Sequence, residues 1–187
     1  MKSSIISTTA DSISSGGTVT GDLKITGDLE VEGGGAITVD TATSGNVSII
    51  DTTASSATEG GNLMLGSNDG AVMADGHRLG VLSFVGAEAT GGVLTTGARI
   101  EAIANATWSD TENSGYLRFF TTDGNASQSE VLRLTDSGNI AIAATKRLYF
   151  DGVTGGGHTY IDEESNDLLR IGVGASEVMK LDNNSRV

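Results

Sequence analysis

The stretch GDLKIT at residues 21–26 is followed directly by GDLEVE at residues 27–32, and together they form a repeat of six residues. In each hexad, apolar residues alternate with polar or charged ones, which is typical of a β-strand with one buried face. The Gly-Asp pair at the start of each hexad favours a turn or a bulge. Because strands this short cannot bury their own apolar face, the repeat predicts β-structure that is completed by stacked coils or by other chains.

The composition of the chain excludes several classes of function. The 187 residues include 24 acidic and 11 basic side chains, for a net charge of -13, so we expect the chain to bind neither nucleic acid nor an anionic membrane surface. It contains no Cys, which excludes disulfides, thiolate metal sites and a cysteine nucleophile. No apolar stretch is long enough to span a bilayer. The first residues lack the apolar run of a secretory signal, so none is expected.

Outside the hexads, short apolar runs predict further strands at 46–50, 62–65 and 78–86. The segment 98–108 is the one place where a helix competes, because its alanines favour helix. Its larger apolar side chains nevertheless share one face with the alanines between them at period two, and no clear helix caps flank the segment. We therefore predict a strand there as well.

The second half of the chain contains an internal repeat. The run SEVLRL at 129–134 recurs as SEVMKL at 176–181, and the run YLRF at 116–119 corresponds to LLRI at 168–171. The matching runs predict two related β modules of one plan. Between the modules, two apolar runs flank the glycine-rich stretch 152–157 and predict a hairpin with a long loop.

Three of these stretches resemble sequences of bacteriophage fibre and spike proteins. The hexads at 21–32 look like the strand repeats that are common in that family. The segment from Leu148 to Ile161 is similar to a recurrent fibre module, and the phrase EVLRLTDSGNI at 130–140 resembles one that recurs in phage tail-fibre ends. The resemblance implies a homotrimer of intertwined β-strands that is exposed on a virion.

We therefore predict an all-β chain of short strands and hairpins, which forms an intertwined homotrimer with a β-helix-like or β-prism-like stem and a compact β head. The predicted divisions are an N-terminal arm and hexad stem for virion attachment at 1–40, a β-rich connecting region at 41–78, a first β module at 79–145 and a second, related β module at 146–187. A trimer would place three copies of the apolar stem residues against one another. These trimer-core candidates are Leu23, Ile25, Leu29, Val31, Ile37 and Val39.

The residues offer little for catalysis or metal binding. His77 and His158 each follow a glycine turn, and nothing in the sequence nominates a serine and an acid as their catalytic partners or supplies a cluster of metal ligands. The acidic run 162–164 could supply paired carboxylates for glycoside hydrolysis, but its neighbours favour a solvated hairpin tip. The stretch 67–70 has some calcium-loop character, although a hairpin turn explains it better. We expect no enzyme activity, no catalytic or metal-binding residue and no cofactor.

The predicted function is structural: a homotrimeric capsid decoration (cement) protein or short head fibre on the phage surface, made in the host cytoplasm without a signal peptide. The alternative is a receptor-binding tail fibre or spike that recognises a host surface polysaccharide. A depolymerising spike enzyme and a bactofilin-like β-helical filament are further alternatives. The expected partners are other copies of the chain, a capsid or tail protein and a host glycan. Candidates for surface recognition are Trp108, Tyr116 and Tyr160, for which a core position is the competing interpretation.

Overall fold

The computed structural model of the chain describes residues 47–124, 127–151, 159–165, 168–174 and 176–182. Over these residues the protein is all-β, as predicted, with antiparallel strands joined by turns and loops. The described part has no helix with the length and apolar character needed to cross a membrane. The chain divides into two units, Met1–Gly61 and Asn62–Val187, and the strands described next all belong to the second.

The described strands of the second unit form two antiparallel sheets. The five-stranded sheet contains β1 (Arg78–Ala87), β2 (Leu94–Ala104), β3 (Gly115–Thr121), β4 (Ser129–Leu134) and β5 (Ile140–Ile142). The four-stranded sheet contains β6 (Arg147–Tyr149), β7 (Tyr160–Ser165), β8 (Leu168–Val173) and β9 (Ser176–Asp182). Each strand pairs with the next one along the chain, so both sheets are simple meanders. The predicted hairpin around the glycine-rich stretch is the pair β6–β7.

In the segment 98–108 the sequence allowed either a helix or a strand, and the structure forms the strand β2 there. The predicted strand is confirmed as far as Ala104, and Trp108 lies in the loop that follows. Residues of β2 are paired on both sides, so that Glu101 lies opposite Val81 of β1 and Arg118 of β3. Two ladders of backbone hydrogen bonds and cross-strand contacts outweigh the weak helix preference of the alanines.

The strands predicted at 46–50 and 62–65 are wrong where the structure describes them. Residues 47–50 and 62–65 have no strand pairing. Their apolar side chains are exposed, and Met64 is 85% accessible. A run of apolar residues does not make a strand unless another strand satisfies its backbone N–H and C=O groups.

Two of the hairpins, β3–β4 and β8–β9, have the same register, and they contain the runs that repeat in the sequence. The matching cross-strand pairs are Arg118–Arg133 with Arg170–Lys180, and Phe119–Leu132 with Ile171–Met179. The register then shifts by one residue at the same place in both hairpins, so that Val131 and Val178 are the extra residues of two equivalent bulges. The two hairpins therefore share both their register and their local irregularity.

Candidate functional site

One face of each sheet carries a row of apolar side chains, with one residue from every strand. The members of a row are direct cross-strand partners and therefore point to the same side of the sheet. In the five-stranded sheet the row consists of Leu82, Ile100, Phe119, Leu132 and Ile142. In the four-stranded sheet it consists of Leu148, Ile161, Ile171 and Met179. We refer to these two sets as the apolar rows.

The apolar rows are only partly covered by the chain itself. Leu82 and Leu148, on the outer strand of each row, are both 45% exposed. Phe84, two residues beyond Leu82 on the same face, is 53% exposed. A contiguous apolar surface that stays open to water usually marks an interaction site. The rows are therefore candidates for an interaction surface.

The opposite face of the five-stranded sheet holds a buried carboxylate, that of Glu101. Its side chain is fully buried, and its oxygens lie 2.6 Å from Arg118, 3.1 Å from Arg78 and 3.2 Å from Arg99. These arginines come from β3, β1 and β2 respectively, so a single carboxylate joins three neighbouring strands. Because an unpaired charge at this position would be strongly destabilising, the ion cluster also specifies the register of the strands.

The arginines decide the charge state of Glu101. Burial alone would raise the pKa of this carboxyl group. The hydrogen bond from Arg99 and the charges of Arg118, Arg99 and Arg78 outweigh burial, and the pKa lies below its usual value. Glu101 is therefore ionised at neutral pH, and its charge is neutralised within the sheet.

The four-stranded sheet has a smaller cluster of the same kind around Asp162. Asp162 lies opposite Arg147 on β6 and Arg170 on β8, at 2.8 and 2.7 Å. The hydrogen bond with Arg170 lowers the pKa of Asp162, and the bond with Arg147 adds to this against the opposing effect of burial. Glu164 lies 2.8 Å from Arg170 and 2.6 Å from Lys180, which extends the cluster to β9.

Aromatic rings cover both ion clusters. The guanidinium carbon of Arg99 lies 3.7 Å from the ring centroid of Phe120, and that of Arg147 lies 4.2 Å from the ring of Tyr160. Tyr160 also packs edge-to-face against Tyr149, with centroids 6.0 Å apart. Stacking on a ring fixes the plane of a guanidinium and adds a cation–π attraction. The rings therefore hold the arginines in place over the buried acids.

The structure places the three aromatic recognition candidates in different surroundings. Trp108 is half-buried, and its Nε1 donates to the carbonyl oxygen of Ser114 at 3.0 Å. Tyr116 is half-buried on β3, with Arg133 over its ring at 4.5 Å. Tyr160 is only 8% exposed, which removes its ring from the solvent. Tyr116 and Tyr160 thus belong to the ion clusters of the two sheets, and Trp108 stands apart from both.

The other predicted residues divide into described and undescribed ones. Leu23, Ile25, Leu29, Val31, Ile37 and Val39 lie outside the described residues, as does His158, so the trimer-core assignment stays a prediction. His77 is exposed, beside the turn that precedes β1. The acidic run 162–164 is not the predicted hairpin tip, because it lies in β7 and Asp162 is buried between two arginines. In the described ranges, no group of His, Cys, Asp or Glu is placed to hold a metal ion.

Sequence reasoning missed the two buried acids. Glu101 and Asp162 each occupy the polar position of an alternating strand, which normally indicates an exposed side chain. The signal that could have identified them is an arginine at the facing position of the next strand, namely Arg118 and Arg170. That signal can be used only when the register is known.

No protein-family model matches the chain, and no curated protein matches it. Among solved structures, it is similar to the carboxy-terminal domain of the bacteriophage T5 L-shaped tail fibre, with 16% identity over 52% of this chain and 37% of that chain, at a TM-score of 0.43. It is also similar to that domain with its intra-molecular chaperone domain, with 17% identity over 57% of this chain and 27% of that chain, at a TM-score of 0.45. Both come from a phage tail fibre, the class of protein that the sequence phrases resemble.

Proposed function

We propose that this chain is a structural fibre protein of a bacteriophage virion, without enzyme activity, and that it assembles as a homotrimer through its apolar rows. The observation that carries the proposal is that each sheet leaves the face with its apolar row partly exposed, although the other face of each sheet buries an ionised acid. Covering the rows with other copies removes apolar area from water, which is worth about 25 cal/mol per Å2.

The virion location and the threefold symmetry rest on the resemblance of three stretches to phage fibre proteins. One of these stretches, 130–140, corresponds to β4, the following turn and the start of β5. It contributes Leu132 to the apolar row of its sheet, and Ile140 to the same face. The phrase that resembles tail-fibre ends is therefore also part of the surface through which we propose that the copies associate.

The lowered pKa values of Asp162 and Glu164 support a role without catalysis. A glycosidase with two carboxyl groups needs one whose pKa is raised, so that it can act as general acid near neutral pH. The hydrogen bond with Arg170 lowers the pKa of Asp162, and the hydrogen bond with Lys180 lowers that of Glu164. Neither carboxyl group holds a proton at neutral pH.

Within the virion, the first candidate position is the capsid surface, as a decoration protein or short head fibre attached through residues 1–40. The second candidate is a receptor-binding tail fibre, which the phrase at 130–140 favours. The two positions differ in copy number, because a decoration protein covers the shell and a tail fibre is present as a few trimers. Cryo-electron microscopy of particles labelled on this protein would separate them.

The assembly itself is tested on the purified full chain. Size-exclusion chromatography with light scattering should report about three times the chain mass of 19.0 kDa. A stable monomer at micromolar concentration would contradict association through the apolar rows. A stable dimer would contradict the threefold symmetry and leave the association surface in place.

A further inference from the structure

Four Asp-Gly pairs occur in the sequence, at 69–70, 75–76, 123–124 and 151–152. Aspartate followed by glycine is prone to rearrange without an enzyme, because glycine has no side chain to keep its amide nitrogen away from the carboxyl group. The rearrangement requires both groups to be free to move toward each other. The hydrogen bonds of the four pairs therefore determine which pair reacts.

The pair Asp75–Gly76 is held at one end of the five-stranded sheet. The amide of Gly76 donates to the carbonyl oxygen of Ala104 at 2.9 Å, and the amide of Ala104 donates to the carbonyl oxygen of His77 at 2.9 Å. To reach the carboxyl group of Asp75, the glycine nitrogen would have to give up a backbone hydrogen bond to the end of β2. We therefore expect the fold to protect this pair.

In two further pairs the carboxylate is restrained. Asp151 accepts a hydrogen bond from the amide of Thr159 at 2.9 Å, across the β6–β7 hairpin. Asp69 accepts one from the amide of Ala71 at 3.0 Å, and the glycine amide of the same pair donates to the side-chain oxygen of Asn68 at 3.2 Å. Each of these bonds has to break before the carboxyl carbon and the glycine nitrogen meet.

The pair Asp123–Gly124 differs from the other three. It lies in the connection between β3 and β4, and both residues are exposed. In the described part of the chain, neither the carboxylate of Asp123 nor the amide of Gly124 has a hydrogen bond or ion pair. A Cβ atom at Gly124 would have no neighbour within 4 Å, so the glycine is not packed in place either. We infer that Asp123 is a site of spontaneous conversion to isoaspartate.

The conversion exchanges only water with the solvent. The amide nitrogen of Gly124 forms a bond to the carboxyl carbon of Asp123, and the bond from that carbon to its hydroxyl oxygen breaks. The hydroxyl group leaves with the amide proton as water, and a cyclic imide remains. A second water molecule then opens the ring. When it attacks the main-chain carbonyl carbon of Asp123, the main chain runs through the former side chain, one methylene group longer and with unchanged mass.

The position of the modified residue links it to the apolar rows. Asp123 borders a cavity of about 810 Å3, and Leu132, Ile142 and Leu148 of the two apolar rows border the same cavity. A longer main chain at Asp123 therefore alters one wall of the space in which the two rows meet. The inference itself does not depend on the proposed function, because it needs only the free pair in the β3–β4 connection.

The test follows the full chain during incubation at neutral pH and body temperature. The tryptic peptide 119–133 contains the pair 123–124 and no other Asp-Gly pair, so its isomerisation gives a second chromatographic peak of the same mass. Deamidation of Asn125 in this peptide would raise the mass and is thereby distinguished. A protease that cleaves before aspartate, but not before isoaspartate, resolves the pairs 69–70 and 75–76. We expect isoaspartate to accumulate at Asp123 first.

Unfolded protein and two variants provide the controls. In urea the hydrogen bonds of all four pairs are lost, so the pairs should react at similar rates. Asp123→Glu keeps the charge but would need a larger ring, and it should abolish the second peak of peptide 119–133. The matched variant Asp75→Glu, in a protected pair, should leave that peak as in the wild type. Faster reaction at any other pair of the folded chain, no reaction at Asp123, or a peak that persists in Asp123→Glu would overturn the inference.

Discussion

In the five-stranded sheet the buried acid is Glu101, held by arginines of β1, β2 and β3, whereas in the four-stranded sheet it is Asp162, held by arginines of β6 and β8. The longer Glu side chain also contacts Arg99, two residues earlier on its own strand. In β7 the position equivalent to Arg99 is Tyr160, which bears no charge. The comparison shows that a buried, neutralised acid belongs to the common plan of the sheets, and that the number of arginines around it varies.

A second difference concerns the ring above each acid. Arg99 lies opposite Phe120 in the five-stranded sheet, and Tyr160 lies opposite Gly172 in the four-stranded one. Each pair contains one ring, but the two rings lie on strands that are not equivalent, because Phe120 is on β3 and Tyr160 is on β7. A Cβ atom at Gly172 would lie 2.4 Å from the ring of Tyr160, so the glycine provides the space that this ring occupies. The sheets therefore share a ring over the acid without sharing a residue type at either position.

The largest effect should come from a charge in the apolar rows. Phe119→Asp and Ile171→Asp change equivalent positions of the two rows, where an unpaired carboxylate in an interface costs several kcal/mol. We expect both variants to elute as monomers when light scattering reads their mass. Ala89→Asp, in the exposed turn between β1 and β2, is the control and should stay trimeric. If only Phe119→Asp dissociates, one sheet alone forms the interface; if neither does, the rows are not the interface.

Removing the buried charges should test how far the ion clusters are equivalent. Glu101→Gln leaves three arginines without their acid and should lower the free energy of unfolding by about 3 kcal/mol. Asp162→Asn leaves two arginines without this acid, of which Arg170 keeps its ion pair with Glu164, and should cost about 2 kcal/mol. Urea unfolding followed by circular dichroism measures both, with Asp123→Asn as the exposed control. Equal, small losses in all three variants would mean that the clusters add nothing to stability.

Low pH should lower the free energy of unfolding, by less than these substitutions do. The folded-state pKa values of Glu101 and Asp162 lie below their ordinary values of 4.5 and 3.8. Groups of this kind stabilise the fold at any pH above their ordinary values, and the stabilisation is lost as the pH falls through the lowered ones. The thermal midpoint should thus be constant near neutrality and fall under acid conditions. Glu101→Gln should have a shallower acid slope than the wild type, and an unchanged slope would contradict the assignment.

The smallest effect concerns the glycine beneath Tyr160. Gly172→Ala forces the tyrosine ring to move and should cost about 1.5 kcal/mol, the usual size of an overpacking effect. Gly86→Ala, at a strand glycine with open space around it, should cost nothing measurable. Tyr160→Ser should reduce the penalty of Gly172→Ala in a double-mutant cycle. Additive effects in that cycle would show that the ring and the glycine are independent.

The parts of the fold that could be predicted are those that the local periodicity of the sequence indicates. Alternation marked the strand at 98–104, and the repeated runs at 129–134 and 176–181 are the strands β4 and β9. Alternation says which side chains share a face, but it does not say whether a partner strand exists. The run at 62–65 failed for that reason, because none of the described strands pairs with it.

The ion clusters could not be predicted, because their cause is not local. Glu101 alternates with apolar neighbours just as an exposed residue would, and its burial depends on Arg78 and Arg118 in the flanking strands.

The paired bulges at Val131 and Val178 limit how these strands can change in length. Each bulge adds one residue to its strand and so brings Glu130 and Glu177 to the same side as the buried acids. If a single residue is deleted at a bulge, or inserted elsewhere in β4 or β9, every side chain of the strand beyond the change moves to the other face of the sheet. Apolar side chains would then lie on the ionic face, and charged ones on the apolar face. Gaining or losing two residues would keep both sides intact. Tolerated insertions and deletions within these strands should therefore come in even numbers, and odd ones should be confined to the turns.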